Sequence, residues 1–467
     1  MFTLFWTDAL IFLLLAMAAG FAWYARRREH LRAPWRRVGR SRVAMSALMV
    51  LLVYVAIGVL DSVHYRPALE GRDGASTVTY SNEVISAFDT LVSGLRGRAE
   101  KTYSAPFATH LYTKETVQMA DGTRQRIYPR LEHGGAHLDD PGQRGRDILN
   151  RSMAGAVKGL GLWVVLAALF CALWGRKHGY AVRHAFTLVM TERTEFRWRS
   201  ALLTLGVLCL LGAVSAELAA KYHIFGTDKV GEDVYYQTLK SIRTGLMIGT
   251  LTTLVMLPFA LILGIMAGYL GGWVDDLIQY LYTTLNSIPG VLLIAAAILM
   301  LQVYLNNNAE DFSSVAERAD LRLLFLCLIL GITSWTGLCR YLRAESLKLR
   351  EIDYVEAARA LGVRQSTIMF RHLLPNVMHI VLITVVLDFS GLVLAEAVLS
   401  YVQIGVDPTM NSWGNMINSA RLEMAREPVV WWSLLAAFIF MFVLVLAANL
   451  FSDTVRDAFD PRLRGVE

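Results

Sequence analysis

The stretch from Glu356 to Asn376 holds the residues whose types and spacing best indicate a function. It reads EAARALGVRQSTIMFRHLLPN and lies between two apolar runs. The small residues Ala357 and Ala358, followed by Gly362, predict a short helix that ends at a glycine. Small side chains let another polypeptide come close while the flanking arginines stay solvated. The pattern therefore predicts a helix that docks onto a second protein.

The elements around this stretch are those of a membrane protein that crosses the bilayer several times. Of 467 residues, 55% are apolar and only 18% are charged, which is too apolar for a soluble chain. The net charge of +6 comes from short loops beside apolar runs, as positive-inside topology requires, so no nucleic-acid partner is expected. From Arg340 to His372 there are seven Lys/Arg against four Asp/Glu, which places this loop in the cytoplasm.

Nine apolar runs are long enough to span a bilayer. The charges of the loops predict an N-terminus outside and a C-terminus in the cytoplasm, and no cleaved signal peptide. The four cysteines fall inside or at the ends of these runs and are expected to be small buried hydrophobes. The runs cover residues 4–24, 43–60, 154–174, 200–220, 245–270, 277–304, 321–339, 376–399 and 429–449.

The spacing of the runs divides the chain into four segments. Residues 1–63 form two transmembrane helices with a basic cytoplasmic loop, and residues 64–153 form a small extracytoplasmic α+β domain. Residues 154–198 form a third helix with its loop, and residues 199–467 hold six more helices around the loop 340–375. The first 198 residues are expected to be peripheral.

Local signals in the segment 64–153 predict its structure. Ser81 is placed to cap a helix that ends before Gly97, and Asp121-Gly122 indicates the turn of a hairpin. Three histidines could form a metal cluster, but their irregular spacing favours ordinary surface residues. They are His110, His133 and His137.

The stretch at residues 356–376 resembles the cytoplasmic EAA loop of ABC importer permeases, with Glu-Ala-Ala, three residues, Gly and a later Leu-Pro. Its His-Leu-Leu-Pro-Asn ending is similar to the C-type permease subunit of the oligopeptide/dipeptide/nickel family. The resemblance implies an all-α polytopic membrane protein: a type I ABC importer permease core of six transmembrane helices, here with three extra N-terminal helices and the α+β domain. It also implies an ATPase-coupling role for Glu356, Ala357, Ala358, Gly362 and Pro375.

Further matches extend the resemblance from Arg199 to Glu467. They include Gly226-Thr227-Asp228 with Gly231-Glu232-Asp233-Val234, the loop Ser412-Trp413-Gly414 and the tail Asp460-Pro461-Arg462-Leu463. Glu232 stands where the family has Arg, and Gln403 where it usually has Gly. The residues Gly145-Arg146-Asp147-Ile148 match half of the first motif again, which leaves open a partial duplication.

The resemblance implies a translocation path near Pro289, Asp388 and Glu396, and a periplasmic entrance near Asp228 and Trp413. The break at Ser287-Ile288-Pro289 suits a helix that lines a water-filled path, or a kink that only improves packing. The two charges in the eighth run should face the interior of the bundle, because charge is costly in hydrocarbon.

No Walker A, HExxH, GxSxG or Cys-x-x-Cys pattern occurs, so the chain is not expected to be an enzyme or to hold a cofactor. The resemblance implies a homologous B-type permease, two ATPases that bind ATP and Mg, and an extracytoplasmic substrate-binding protein in a bacterial inner membrane. The function it implies is ATP-driven import of peptides by alternating access. Import of nickel chelates, or a sensor or scaffold with a permease-like core, are the alternatives.

Overall fold

The computed structural model of this chain describes residues 2–27, 29–68, 80–118, 123–308, 310, 312 and 314–459. Within these residues, nine helical segments are long and apolar enough to span a membrane, and each lies at one of the nine predicted runs. The number of candidate spans in this part of the chain therefore agrees with the nine predicted runs. The turn Asp121-Gly122 and the tail 460–463 lie outside the described residues.

Helices dominate the fold because the apolar runs have no partner strands and must satisfy their backbone internally. The helices are α1 Trp6–Arg26, α2 Glu29–Arg40, α3 Arg42–Asp61, α4 Ala87–Leu91, α5 Ser93–Arg96, α6 Arg144–His178, α7 Val182–Met190, α8 Trp198–Ala219, α9 Val234–Leu270, α10 Gly272–Ser287, α11 Gly290–Asn307, α12 Val315–Leu349, α13 Asp353–Ala360, α14 Gln365–Ile368, α15 Leu374–Tyr401, α16 Trp413–Glu423 and α17 Trp432–Phe459.

Short strands lie in the segments before α6. Strands β1 (Phe2–Thr3), β2 (His64–Tyr65) and β3 (Ile85–Ser86) form an antiparallel sheet in that order. Strands β4 (Glu115–Gln118) and β5 (Arg124–Ile127) form an antiparallel pair and flank, in the sequence, the predicted hairpin turn Asp121-Gly122.

The chain divides into two compact units. The first consists of Met1–Thr3, Arg36–Thr244 and Asn411–Phe451, and the second of Leu4–Trp35, Gly245–Met410 and Ser452–Glu467. These units follow spatial contacts and do not test the four segments derived from the sequence, whose boundaries stay a prediction.

In the first unit, α6 packs closely on α8 through small residues. A Cβ added at Gly155 would lie 2.7 Å from the Cα of Val214, and one at Gly159 would lie 2.8 Å from the Cα of Leu210. The indole of Trp163 donates to the carbonyl of Leu202 at 2.8 Å. Glycines thus let two backbones approach where no hydrophobic effect drives helix association.

In the second unit, residues 245–270 of α9 pack on α12 in the same way. A Cβ at Gly264 would lie 2.9 Å from the carbonyl oxygen of Cys339, and one at Gly268 would lie 2.5 Å from that of Arg343. Around this contact lies an apolar cluster that includes Met256, Ala260, Trp335, Leu338 and Leu342. The close approach fixes the end of α12 that leads into α13.

Three predicted elements differ from the structure. The helix expected from Ser81 begins after Ser86, because Ser86 and Asp89 form a capping box; Ser81 instead accepts a bond from the amide of Glu83. The run 277–304 is divided into α10 and α11, with Ile288 extended between them. Helix α12 continues to Leu349, so the first ten residues of the loop 340–375 are helical.

Candidate functional site: a docking helix and the polar clusters around it

The predicted docking helix is α13, which rests on a buried apolar base. Val355 is 1% exposed and Ala358 is 8% exposed. Both belong to a cluster with Ile368, Leu373 and Val377, at the start of the next long helix. Side chains three apart on a helix share a face, so this face of α13 is fixed to its own chain. Ala358 is part of that base and faces the core.

The helix ends in a Schellman motif at Gly362. The amide of Gly362 donates to the carbonyl of Arg359 at 3.0 Å, and the amide of Val363 to that of Ala358 at 3.1 Å. Gly362 has a φ of +72°, and a Cβ there would meet nothing within 4 Å. The glycine is therefore needed for its left-handed backbone and not for internal space.

The outer face of α13 is open. Glu356 and Ala357 are exposed, and Leu361 is 83% exposed although it is apolar. Pro375 lies exposed in the first turn of α15, where its missing N–H needs no partner. An exposed leucine beside a carboxylate on a firmly held helix is a surface suited to protein docking.

Two side-chain contacts hold the ends of the docking loop, residues 340–375, in place. The guanidinium of Arg343 on α12 donates two bonds of 2.6 Å to the carboxylate of Asp275 on α10, and it lowers the pKa of that carboxyl. The amide nitrogen of Asn376 donates to the hydroxyl of Tyr354 at 2.9 Å, joining α15 to α13. A bidentate arginine pair holds its geometry better than a single bond, so this contact ties α10 to α12.

The residues predicted for a translocation path are dispersed within the second unit. Pro289 is exposed and precedes α11. Asp388 is half-buried in α15, and Glu396 of the same helix is 1% exposed and accepts from the hydroxyl of Ser400 at 2.7 Å. Glu396 therefore lies in the interior, as its cost in hydrocarbon predicted.

The two residues predicted at a periplasmic entrance, Asp228 and Trp413, are both held by hydrogen bonds within the chain. Asp228 accepts bonds from the amides of Val230 and Glu232 and from the side chain of Gln237, all at 2.9 to 3.0 Å, and burial raises the pKa of its carboxyl. Trp413 is 1% exposed and its indole donates to the carbonyl of Thr238 at 3.2 Å. Trp413 packs α16 on α9, and its entrance role stays a prediction.

No sequence pattern indicates the buried charged cluster around His223. The Nδ1 of this imidazole lies 2.6 Å from Asp233 and its Nε2 lies 3.2 Å from Glu100, with all three side chains at most 3% exposed. Glu100 also accepts from the amides of residues 132, 133 and 134 at 2.9 Å. Asp233 accepts from the amides of Tyr235 and Tyr236 at the start of α9.

The cluster shifts the pKa values of its members in opposite directions. Burial alone would lower the pKa of His223, but the bonds to Asp233 and Glu100 outweigh it and raise that pKa to about 9. Burial would raise the pKa of Glu100, but the bonds from His223 and the three amides lower it to about 2. The imidazolium and the carboxylate therefore hold each other in their charged forms.

A second buried cluster joins the end of α3 to α9. The Nζ of Lys240 lies 2.7 Å from Asp61 and 2.9 Å from Asp89. The hydroxyl of Ser86 donates to Asp61 at 2.6 Å, and that of Tyr236 donates to Asp89 at 2.7 Å. The expectation that the first 198 residues are peripheral is wrong for Asp61, Asp89 and Glu100, because these buried carboxylates pair with charges of α9 and of the loop before it.

The three histidines considered for a metal site do not form one in the part of the chain that the structure describes. His137 binds the carboxylate of Asp147 at 2.8 Å, and His110 bonds to the hydroxyl of Thr109. Over the residues that the structure describes, no group of three or more His, Cys, Asp or Glu could hold a metal ion.

Cys171, Cys327 and Cys339 are buried and Cys209 is half-buried, and each is a free thiol.

Parts of this chain are similar in sequence to known proteins. A family model described as binding-protein-dependent transport system inner membrane component matches residues 260–465. The glutathione transport system permease protein GsiD of Pectobacterium atrosepticum is 31% identical over 52% of this chain and 73% of its own length. The oligopeptide transport system permease protein OppC of Haemophilus influenzae is 30% identical over 52% of this chain and 71% of its own.

The dipeptide transport system permease protein DppC of Lactococcus lactis is 31% identical over 51% of this chain, but the match covers 64% of that protein. A solved structure of the MetNI methionine ABC transporter is 16% identical with a TM-score of 0.35, which is too low to support any statement about the fold. The relatives and the family model define an ABC importer permease. This chain belongs to the family of binding-protein-dependent transport system inner membrane components.

Proposed function

We propose that this chain is the transmembrane subunit of an ATP-driven importer that translocates peptides or peptide-like compounds across a bacterial inner membrane. The substrate class is supported by relatives whose names specify dipeptides, oligopeptides and glutathione. One observation carries the coupling role. Helix α13 is fixed on one face by Val355 and Ala358, while Glu356 and Leu361 on the other side are exposed.

The mechanism follows from that arrangement. Helix α13 docks onto one of two separate ATPase subunits, which bind ATP and Mg, while this chain holds no cofactor. Closure of the ATPases moves α13, and its buried base with the Arg343–Asp275 pair transmits the motion to the long helices as a rigid body. A homologous B-type permease completes the path, and an extracytoplasmic binding protein delivers the substrate.

In the bilayer we place the N-terminus outside and the C-terminus in the cytoplasm, because the basic loops, including 340–375, then face inward. The core of six helices begins near residue 199. Single cysteines at Ser81 and at Thr367, an exposed residue of the loop 340–375, should then react from opposite faces of the membrane. Reaction from one face only would contradict this topology.

The function is tested with the chain co-purified with its partners and reconstituted in vesicles. We expect uptake of labelled di- and oligopeptides and stimulation of ATP hydrolysis by loaded binding protein. Glu356→Lys should strongly reduce both, because an unpaired charge at a docking surface can cost several kcal/mol. Glu83→Lys is the matched control, since Glu83 is exposed, belongs to the first unit and forms a surface pair with Arg96.

The outcomes separate the alternatives. Uptake of nickel chelates without peptides would replace the substrate class and keep the coupling role. Full activity in Glu356→Lys would remove the role of α13. ATP hydrolysis that responds to no substrate, together with no uptake, would favour a sensor or scaffold and overturn the proposal.

A further inference from the structure

An open groove of about 370 Å³ runs along α3, α8 and α17 in the first unit. Most of its wall is aliphatic, with Val43, Ala47 and Val50 from α3 and Val443, Leu446 and Leu450 from α17. All three helices are candidate spans, so the groove lies at the depth of the lipid. Its residues on α3 extend over about 12 Å, from eight steps of 1.5 Å each.

One end of the groove is cationic. Arg42 lines the groove and is the first residue of α3, directly after the capping Ser41. Its guanidinium donates to Glu192 at 2.6 Å, and Arg197 donates to the same carboxylate oxygen at 2.8 Å. One carboxylate is therefore shared by two guanidinium groups, and 66% of the Arg42 side chain is still exposed.

The surrounding surface carries a large positive surplus. Residues 36–42 and 191–199 together hold seven arginines and two glutamates, a net charge of 7 − 2 = +5. The two segments are packed together, since the amide of Arg197 donates to the carbonyl of Gly39 at 2.9 Å. Helices α3 and α8 both begin here, so their N-terminal amides add to the positive potential.

We propose that this groove binds an anionic phospholipid. Its phosphate lies beside the N-terminus of α3 at Arg42 and at Arg199, an exposed arginine in the first turn of α8 that is close enough to Glu192 to act on its charge. One acyl chain lies along the aliphatic wall. A basic pocket between transmembrane helices at the membrane surface is the arrangement that recognises anionic head groups, and guanidinium groups bind phosphate oxygens well. The inference is independent of the transported substrate and of α13.

The test uses the full-length purified protein in detergent micelles that contain equal amounts of dioleoyl phosphatidylglycerol and dioleoyl phosphatidylethanolamine. Native mass spectrometry counts the lipids that stay bound. We expect about a tenfold preference for phosphatidylglycerol in the wild type, from two arginines at the head group. Arg42→Gln with Arg199→Gln should abolish the preference, and Ala47→Phe, which fills the groove, should reduce retention of both lipids.

Arg176→Gln is the matched control, because Arg176 is an exposed arginine at the end of α6 outside the groove, and it should keep the wild-type preference. Equal retention of the two lipids by the wild type overturns the proposal, as does a preference that survives both the double arginine variant and Ala47→Phe. Displacement of the lipid by inorganic phosphate alone would show a plain anion site. Absence of lipid when a second permease is bound would show that protein covers the groove. Either result overturns the lipid assignment.

Discussion

The Nε2 atom of His223 lies 3.2 Å from Oε1 of Glu100, although 123 residues separate the two along the chain. His223 belongs to the loop before α9, and Glu100 to the segment between α3 and α6. Both side chains are almost fully buried. A charge pair thus fixes the N-terminal region to a loop that carries a family motif, and its strength must depend on pH.

We expect His223→Asn to lower the free energy of unfolding by about 3 kcal/mol below pH 6.5, because two buried carboxylates lose their cation. The folded pKa of His223 is raised from 6.5 to about 9, so its contribution is complete below pH 6.5 and is lost as the pH rises through 9. The folded pKa of Glu100 is lowered from 4.5 to about 2, so its contribution is present above 4.5 and is lost as the pH falls through 2.

The melting temperature of the purified protein, measured across this range, checks the prediction. The wild type should lose stability between pH 6.5 and 9, and His223→Asn should show a flatter profile. His184→Asn is the control, since His184 is exposed, and it should keep the wild-type profile. Identical profiles for all three proteins would contradict the buried charge pair.

A chain that begins at Arg199 should fold poorly. It lacks Asp61, Asp89 and Glu100, and so leaves Lys240 without both of its carboxylates and His223 with Asp233 alone. Removing one partner of a buried pair costs about 3–5 kcal/mol, which is a large part of the stability of most proteins. Size-exclusion chromatography after extraction should show aggregates for this chain and a single peak for the full-length one.

A variant distinguishes lost charge pairing from other effects of truncation. Lys240→Met in the full-length chain should lower the melting temperature, and adding Asp61→Asn with Asp89→Asn should restore part of it, because no buried charge then stays unpaired. A truncated chain that gives one peak and melts like the full-length protein would restore the view that residues 1–198 are peripheral.

Leu361→Asp should uncouple ATP hydrolysis without unfolding the protein. Leu361 is 83% exposed, so the change in stability should stay within about 0.5 kcal/mol, while stimulated ATP hydrolysis in the reconstituted complex falls several-fold. Val355→Asp is the contrasting variant, because Val355 is 1% exposed and a buried charge there should unfold the base of α13. Equal stimulation in Leu361→Asp and the wild type would exclude a docking role for this side chain.

Gln403→Gly should stabilise the protein by about 1 kcal/mol. Gln403 has a φ of +65° at the end of α15, where its amide donates to the carbonyl of Ser400 and that of Ile404 to Leu399. This is the same Schellman motif that ends α13 at Gly362, with a side chain where glycine is favoured. Gly362→Gln is the reciprocal control and should cost about as much. A lower melting temperature for Gln403→Gly would contradict the prediction.

The sequence predicted what local signals determine. The nine runs, the short helix ended by Gly362 and a break near Pro289 follow from apolar length, small residues, glycine and proline, although the division of the run 277–304 into two helices does not. The capping box of Ser86 and Asp89 is also a local sequence signal, since the two residues are three apart. The prediction placed the helix cap at Ser81 instead. The ion pairs of Lys240 with Asp61 and of His223 with Glu100 could not be found, because each joins residues more than a hundred positions apart.

The break between α10 and α11 limits what can surround it. Helix α10 ends at Ser287, Ile288 is extended and α11 starts at Gly290, so the last carbonyls of one helix and the first amides of the next lack helical partners. The hydroxyl of Ser287 donates to the carbonyl of Thr284 at 2.7 Å and satisfies one of them. Hydrocarbon offers no hydrogen bonds, and each unmet group in it costs several kcal/mol. Residues 287–290 must therefore be hydrated or covered by another polypeptide, and amide hydrogen exchange at Gly290 would be fast in the first case and slow in the second.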